Sequence, residues 1–308
     1  MIYKKLSVFC ERKLFIIYFF IAFLKSFFFS NIKIYFMSLR NGILPYRKKI
    51  IQSKKQSDTL FIFGGGETIN EITEEQWKII KNSDSLGINR WLYHSHVPTY
   101  MMIEGAKKKD LPFIKEVQES IYKTWQDSNS RYKNTLILIK DLDALLIDFE
   151  KIKLFKNRMY SMLKLIPPGK TLKGLAKSFS IINRIKLLQN VCFPPGSRGS
   201  ITHATSFGVL SGYKNIILCG IDLCGGYYWD SCKPELLFAE VPTFLPVDKE
   251  KRKKFKVNLS THETMIPENS EVTIDQVLLN ISKFLNKDQK IYVNSANSLL
   301  SKHFPVYW

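Results

Sequence analysis

From residue 58 to the C-terminus, short apolar runs with strand character alternate with stretches of helical period. Asp58–Phe63 (DTLFIF), Leu86–Asn89, Thr99–Glu104, Thr135–Lys140 (TLILIK), Asn215–Asp222 (NIILCGID) and Lys290–Asn294 read as strands, rich in β-branched and aromatic residues. Thr73 opens a helix, with Gln76 three residues on as a capping box and Glu74 and Glu75 in its first turn. Leu111–Trp125, Leu142–Leu165, Gly199–Gly212 and Val272–Leu285 carry helical patterns, and Ser298–His303 a short one; Ser178–Asn190 fits helix or strand. Pro-Pro-Gly breaks follow at residues 167–169 and 194–196. Strands alternating with helices predict an α/β, Rossmann-like fold: a mainly parallel sheet with helices on both faces. Such sheets take ligands at the carboxyl ends of their strands.

The first 57 residues follow a different pattern. Leu14–Leu24 (LFIIYFFIAFL) is an unbroken apolar run, Lys25 interrupts it, and SFFFSNIKIYFM continues to Met37. Eleven residues rise only about 16 Å as a helix, short of the roughly 30 Å hydrocarbon core. An interfacial segment flanked by Lys and Arg fits better than a spanning one, and no small-residue cleavage site follows it. Of the formal charge of +19, residues 1–57 contribute twelve Lys and Arg against a single acid, Glu11. The rest of the excess is spread through Lys-rich stretches without an aromatic-interleaved patch, which argues against nucleic acid as a partner. The chain therefore divides into a basic, membrane-associating segment at 1–57, suited to an anionic membrane surface, and a Rossmann-like domain at 58–308. Five cysteines with no CxxC pair indicate a reducing compartment. The expected location is cytoplasmic, peripheral to an inner membrane.

Five motifs could carry chemistry. Gly64, Gly65 and Gly66 follow the first strand, where backbone N–H groups can approach a phosphate; a tight turn is the equal alternative. Ser200 and Thr202 open the small-residue helix after Arg198, as anion ligands or as plain caps. Asp222 ends an apolar strand and leads into a Gly-rich loop carrying Tyr227, Tyr228 and Trp229, a ligand rim or satellite packing. His262, in Ser-Thr-His-Glu at 260–263, suits proton transfer near neutral pH. Asp141 and Asp143 form a DxD that reads better as a helix start than as a metal site, and no metal is expected.

Together these segments resemble glycosyltransferase family 42, the bacterial sialyltransferases of lipooligosaccharide synthesis. FIFGGGETI is similar to the family's first glycine motif, Ile88-Asn89-Arg90 to its asparagine after the second strand, and GSITHATSFGVLSGYKNIILCGIDL to its central helix and G-I-D-F run. THE, a helix and KIYVNSANSLL resemble its closing segment. The resemblance implies an inverting, metal-independent, single-domain transferase with a CMP-linked sialic-acid-type donor, no separate cofactor, and a glycan or glycolipid acceptor. It implies His262 as general base, and Gly64, Gly65, Gly66, Asn89, Ser200, Asp222, Tyr227 and Tyr228 around the donor. Homo-oligomerisation is left open. Cys224 stands where the family has a phosphate-binding tyrosine, and Glu104 where it has an asparagine; a carboxylate there repels an anionic donor unless protonated or paired. A pterin pyrophosphokinase-like transferase, or a non-enzymatic binding protein on the same fold, are the alternatives.

Overall fold

The computed structural model describes residues 14–24, 31–46, 48–104, 123–124, 126, 130–140, 142, 158–161, 171–184, 199–224, 226–231, 233–238 and 272–308. Eight strands form a single, wholly parallel sheet: β1 (Leu44–Pro45), β2 (Thr59–Phe63), β3 (Asp84–Ile88), β4 (Tyr100–Glu104), β5 (Leu136–Lys140), β6 (Met159–Ser161), β7 (Asn215–Cys219) and β8 (Lys290–Val293). Their order across the sheet is β1-β6-β5-β4-β3-β2-β7-β8. The chain winds one way from β2 through β6 and the other way through β7 and β8, so the order reverses between β2 and β7. This is a Rossmann-like α/β fold, and its switch point lies where β2 and β7 end side by side.

Buried strands covered on both faces need apolar residues at successive positions, and TLFIF, LILIK and NIILC supply them. Alternate side chains enter two separate cores. Leu60, Ile62, Leu86, Met102, Leu138 and Leu218 face one way. Phe61, Phe63, Met101, Ile137, Ile139 and Cys219 face the other. Each large apolar side chain removed from water contributes about 1.5–3 kcal/mol, an upper bound because the unfolded chain already buries some surface.

Among the described residues seven α-helices accompany the sheet: α1 (Phe15–Leu24), α2 (Asn31–Arg40), α3 (Lys48–Lys54), α4 (Glu74–Lys81), α5 (Leu172–Arg184), α6 (Ser200–Leu210) and α7 (Ile274–Ser282). Thr73 caps α4 through the expected box with Gln76, and Thr273 with Gln276 repeats it at α7. The central helix, α6, has no polar face, and residues 200–209 are all buried. A β-carbon on Gly208 would lie 3.1 Å from Ile216 Cδ1 and Leu60 Cδ2, so the glycine lets α6 press onto β2 and β7.

One sequence expectation is corrected and one alternative is resolved. The helix expected over 142–165 is interrupted, because Met159–Ser161 is a strand whose Tyr160 pairs with Leu138 on one side and Leu44 on the other. Non-local pairing outweighs the local helical pattern there. The ambiguous 178–190 segment is helical as far as Arg184. Most of the helix expected over 111–125 lies outside the described residues.

The N-terminal segment packs on the body. Phe15 and Phe19 of α1 join one core, and Ile34 of α2 joins the other. The hydroxyls of Ser38 and Ser161 are hydrogen-bonded at 2.6 Å, and β1 extends the sheet beyond β6. No helix among the described residues is long and apolar enough to cross a membrane.

Candidate functional site

At the switch point the glycine turn is drawn tightly against the end of β7. The N–H of Gly64 donates to Cys219 O at 2.8 Å, and that of Gly66 to Gly220 O at 2.7 Å. A β-carbon on Gly64 would meet Ile221 Cδ1 at 2.3 Å and Gly220 O at 2.5 Å; one on Gly66 would meet Asp222 Oδ2 at 2.3 Å. Glycine at these two positions is therefore required by the protein's own close packing. Two of the three amides expected to greet a phosphate are used within the fold.

Asp222 reinforces this closure. It is almost fully buried; the Thr68 N–H donates to Oδ2 at 2.9 Å and the Thr68 hydroxyl to Oδ1 at 2.5 Å. Burial pushes its carboxyl above the usual carboxylate range, the Thr68 bonds oppose that rise, and the charges of Glu71 and Glu67 add to it. Asn294 completes the junction by donating to Thr68 O at 3.0 Å. Asp222 thus ties the loop after β2 to the end of β7.

The aromatic loop separates its two tyrosines. Tyr228 is fully buried, its hydroxyl donates to Arg90 O at 3.4 Å, and its ring packs on Trp91 and His94. It is a core residue. Tyr227 is half-buried, stacked on Trp229 with centroids 4.3 Å apart, and both rings lie over Gly65. Arg90 sits over the Trp229 ring at 5.8 Å. Cys224 points toward the turn after β8, its thiol donating to Asn297 O at 3.9 Å.

A polar network crowns β3, β4 and β5. Glu104 and Lys140 end neighbouring strands in direct register. The Lys140 ammonium holds Glu104 Oε1, the Ser200 hydroxyl at the head of α6 donates to Glu104 Oε2, and the Glu104 N–H donates to Asn89 Oδ1 at 3.1 Å. The carboxylate that sequence alone set against an anionic ligand is thus paired with an ammonium. Asn89 reaches this position from a left-handed backbone (φ 50°), which asparagine tolerates better than most residues. Gly199, Gly220 and Leu223 are further positive-φ residues at this end of the sheet. Backbone strain of this kind concentrates at functional sites.

No protein-family model matches the chain, and no curated protein is significantly similar to it.

The head of α7 completes the rim. A β-carbon on Gly199 would lie 3.3 Å from Ile274 Cδ1, so the heads of α6 and α7 abut. Asp275 accepts from the Thr273 hydroxyl and sits 3.1 Å from His303 Nε2. Its burial raises the carboxyl pKa, but Thr273, His303 and Lys302 outweigh that and the net shift is downward. Among the described residues no group of three or more His, Cys, Asp and Glu is placed to hold a metal ion. His262, Asp141, Asp143 and Arg198 lie outside the described residues.

The structure therefore brings Asn89, Ser200 and the unanticipated partners Glu104 and Lys140 together, and turns Gly64, Gly66 and Asp222 inward as scaffold. Lys140 looked like an ordinary strand end. The signal that could have found it is a lysine and a glutamate each terminating an apolar run, but only strand register shows that they are neighbours.

Proposed function

We propose that this protein is a nucleotide-sugar glycosyltransferase of the sialyltransferase-like kind, acting at the carboxyl end of its sheet. The observation that carries the reading is the Asn89–Glu104–Lys140–Ser200 network at the head of α6, next to the switch point where Rossmann-like sheets bind nucleotides. With Glu104 balanced by Lys140, the positive head of α6 suits the phosphate of a CMP-linked donor, and Asn89 with the Tyr227–Trp229 stack suits its base and ribose. In an inverting displacement the acceptor oxygen bonds to the anomeric carbon as the bond to the CMP oxygen breaks. CMP leaves as an anion, and His262 takes the acceptor proton.

The test is thermal unfolding of the full chain with saturating CMP, CDP, UDP, GDP or ATP. Ligand at 100 times its Kd stabilises the folded state by about 2.7 kcal/mol, a rise of roughly 5 °C for a protein of this size. A selective rise with CMP is the expected result. UDP or GDP in its place changes the donor, ATP favours the pyrophosphokinase-like chemistry, and no rise with any of them removes the transferase reading.

A further inference from the structure

Eleven of the sixteen exposed large apolar side chains among the described residues lie between Leu14 and Leu44. They are not scattered. On α1, Phe15 and Phe19 face the core while Ile16, Phe20 and Ile21 face outward, with Ile16 66% exposed. On α2, Ile34 and Ser38 face inward while Ile32, Phe36 and Leu39 face outward, with Phe36 64% exposed. The two helices belong to opposite faces of the sheet, since Phe19 packs in the core of Leu60 and Ile62, and Ile34 in that of Phe61 and Phe63. α2 is fastened at the β1–β6 edge by Ser38 to Ser161, and α1 packs through Phe15 and Phe19 beside α5, where Lys177 lies over the Phe15 ring.

We infer that the outward apolar faces of α1 and α2 are a monotopic docking surface for an anionic lipid bilayer. Each of these two helices has ten residues, about 15 Å, too short to cross the hydrocarbon core, and one flank of each is committed to the protein. Helices held in this way lie in the interfacial plane with their outer residues among the upper acyl chains. Charge separates a bilayer from a second copy of the chain. No acid occurs between residues 12 and 57, whereas Lys33 and Arg40 are exposed on α2. On the neighbouring α5, Lys173 and Lys177 are exposed, and Lys177 lies 5.2 Å over the Phe15 ring. Two copies meeting here would bring like charges together without counter-ions. Anionic headgroups supply them, at about 1 kcal/mol for each Lys or Arg near the surface. This inference is independent of the chemistry proposed at the carboxyl end.

The experiment is flotation of the full chain with vesicles of phosphatidylcholine alone or with 30% phosphatidylglycerol. Strong binding to the anionic vesicles is expected, weakened by salt. The variants Ile16→Glu/Phe20→Glu/Ile21→Glu and Ile32→Glu/Phe36→Glu should each lose at least tenfold in partitioning, and Lys33→Gln/Arg40→Gln should lose the preference for anionic lipid. Hydrogen exchange on the unaltered protein gives a readout free of folding effects, with protection gained on vesicle addition at 14–24 and 31–40. Unchanged exchange there, or equal flotation of wild type and variants, overturns the inference. So does a lipid-free dimer that the same glutamates dissociate, since the surface would then be closed by a second copy.

Discussion

A buried and a half-buried histidine show how single residues set this protein's response to acid. His94 accepts a bond from the His96 N–H through Nδ1, and its ring stacks on Trp91 at 4.1 Å and on Trp77 at 5.2 Å. Burial pulls its pKa from 6.5 to about 3 and that of His96 to about 4, with nearby positive charge adding to both shifts. Between pH 6.5 and those values the unfolded chain takes up protons that the folded chain refuses, so stability falls as pH falls across that window. Urea unfolding at pH 7 and pH 5 should show a loss of a few kcal/mol, about 1.4 kcal/mol per pH unit for each group, and His94→Phe should flatten part of the slope. Asp222 acts in the opposite sense. Its raised pKa means that stability declines as pH rises through the window opening near 3.9. Asp222→Ala leaves the Thr68 donors buried without their acceptor, a cost of about 1–3 kcal/mol for each, measurable as a lowered denaturation midpoint at pH 7.

At the scale of elements, the heads of helices and the ends of strands do most of the positioning. Thr73→Ala removes the acceptor for the Gln76 N–H in the α4 capping box and should lower stability by about 1 kcal/mol without touching ligand binding. The polar network behaves differently, because its members end separate strands. Lys140→Met strands the Glu104 carboxylate beside the head of α6, and CMP affinity should drop at least tenfold by calorimetry. Glu104→Gln removes the same charge that Lys140 balances, so it should preserve or tighten binding. Equal losses in both variants would show the pair to be a structural clamp with no role in holding an anion. How much of this was legible varied with range. The α4 capping box, the β2, β5 and β7 runs and the small-residue α6 follow from local patterns. Met159–Ser161 did not, because its strand state comes from β5 and β1 on either side.

For the whole molecule, the decisive feature is that the N-terminal segment is part of the body. Phe15, Phe19 and Ile34 fill the two cores and β1 lengthens the sheet, so deleting residues 1–36 should uncover apolar surface and lower the melting temperature. Differential scanning fluorimetry of that deletion against the outward glutamate variants separates the two roles of the segment. The deletion should be destabilised and the glutamate variants should not. The parallel sheet also places the polar network two to four strands from the β1 edge, about 10–20 Å at the usual strand spacing.

What the sequence determined alone was most of the elements after residue 58, their α/β alternation, and the basic, apolar character of the first 57 residues. These follow from local periodicity, caps and composition. Only the tertiary structure decided that Tyr228 is core while Tyr227 stays half-exposed. It also turned Gly64, Gly66 and Asp222 toward one another and set Glu104 opposite Lys140. Which side chains face each other across a parallel sheet depends on register between strands far apart in the chain, and no local pattern encodes that register.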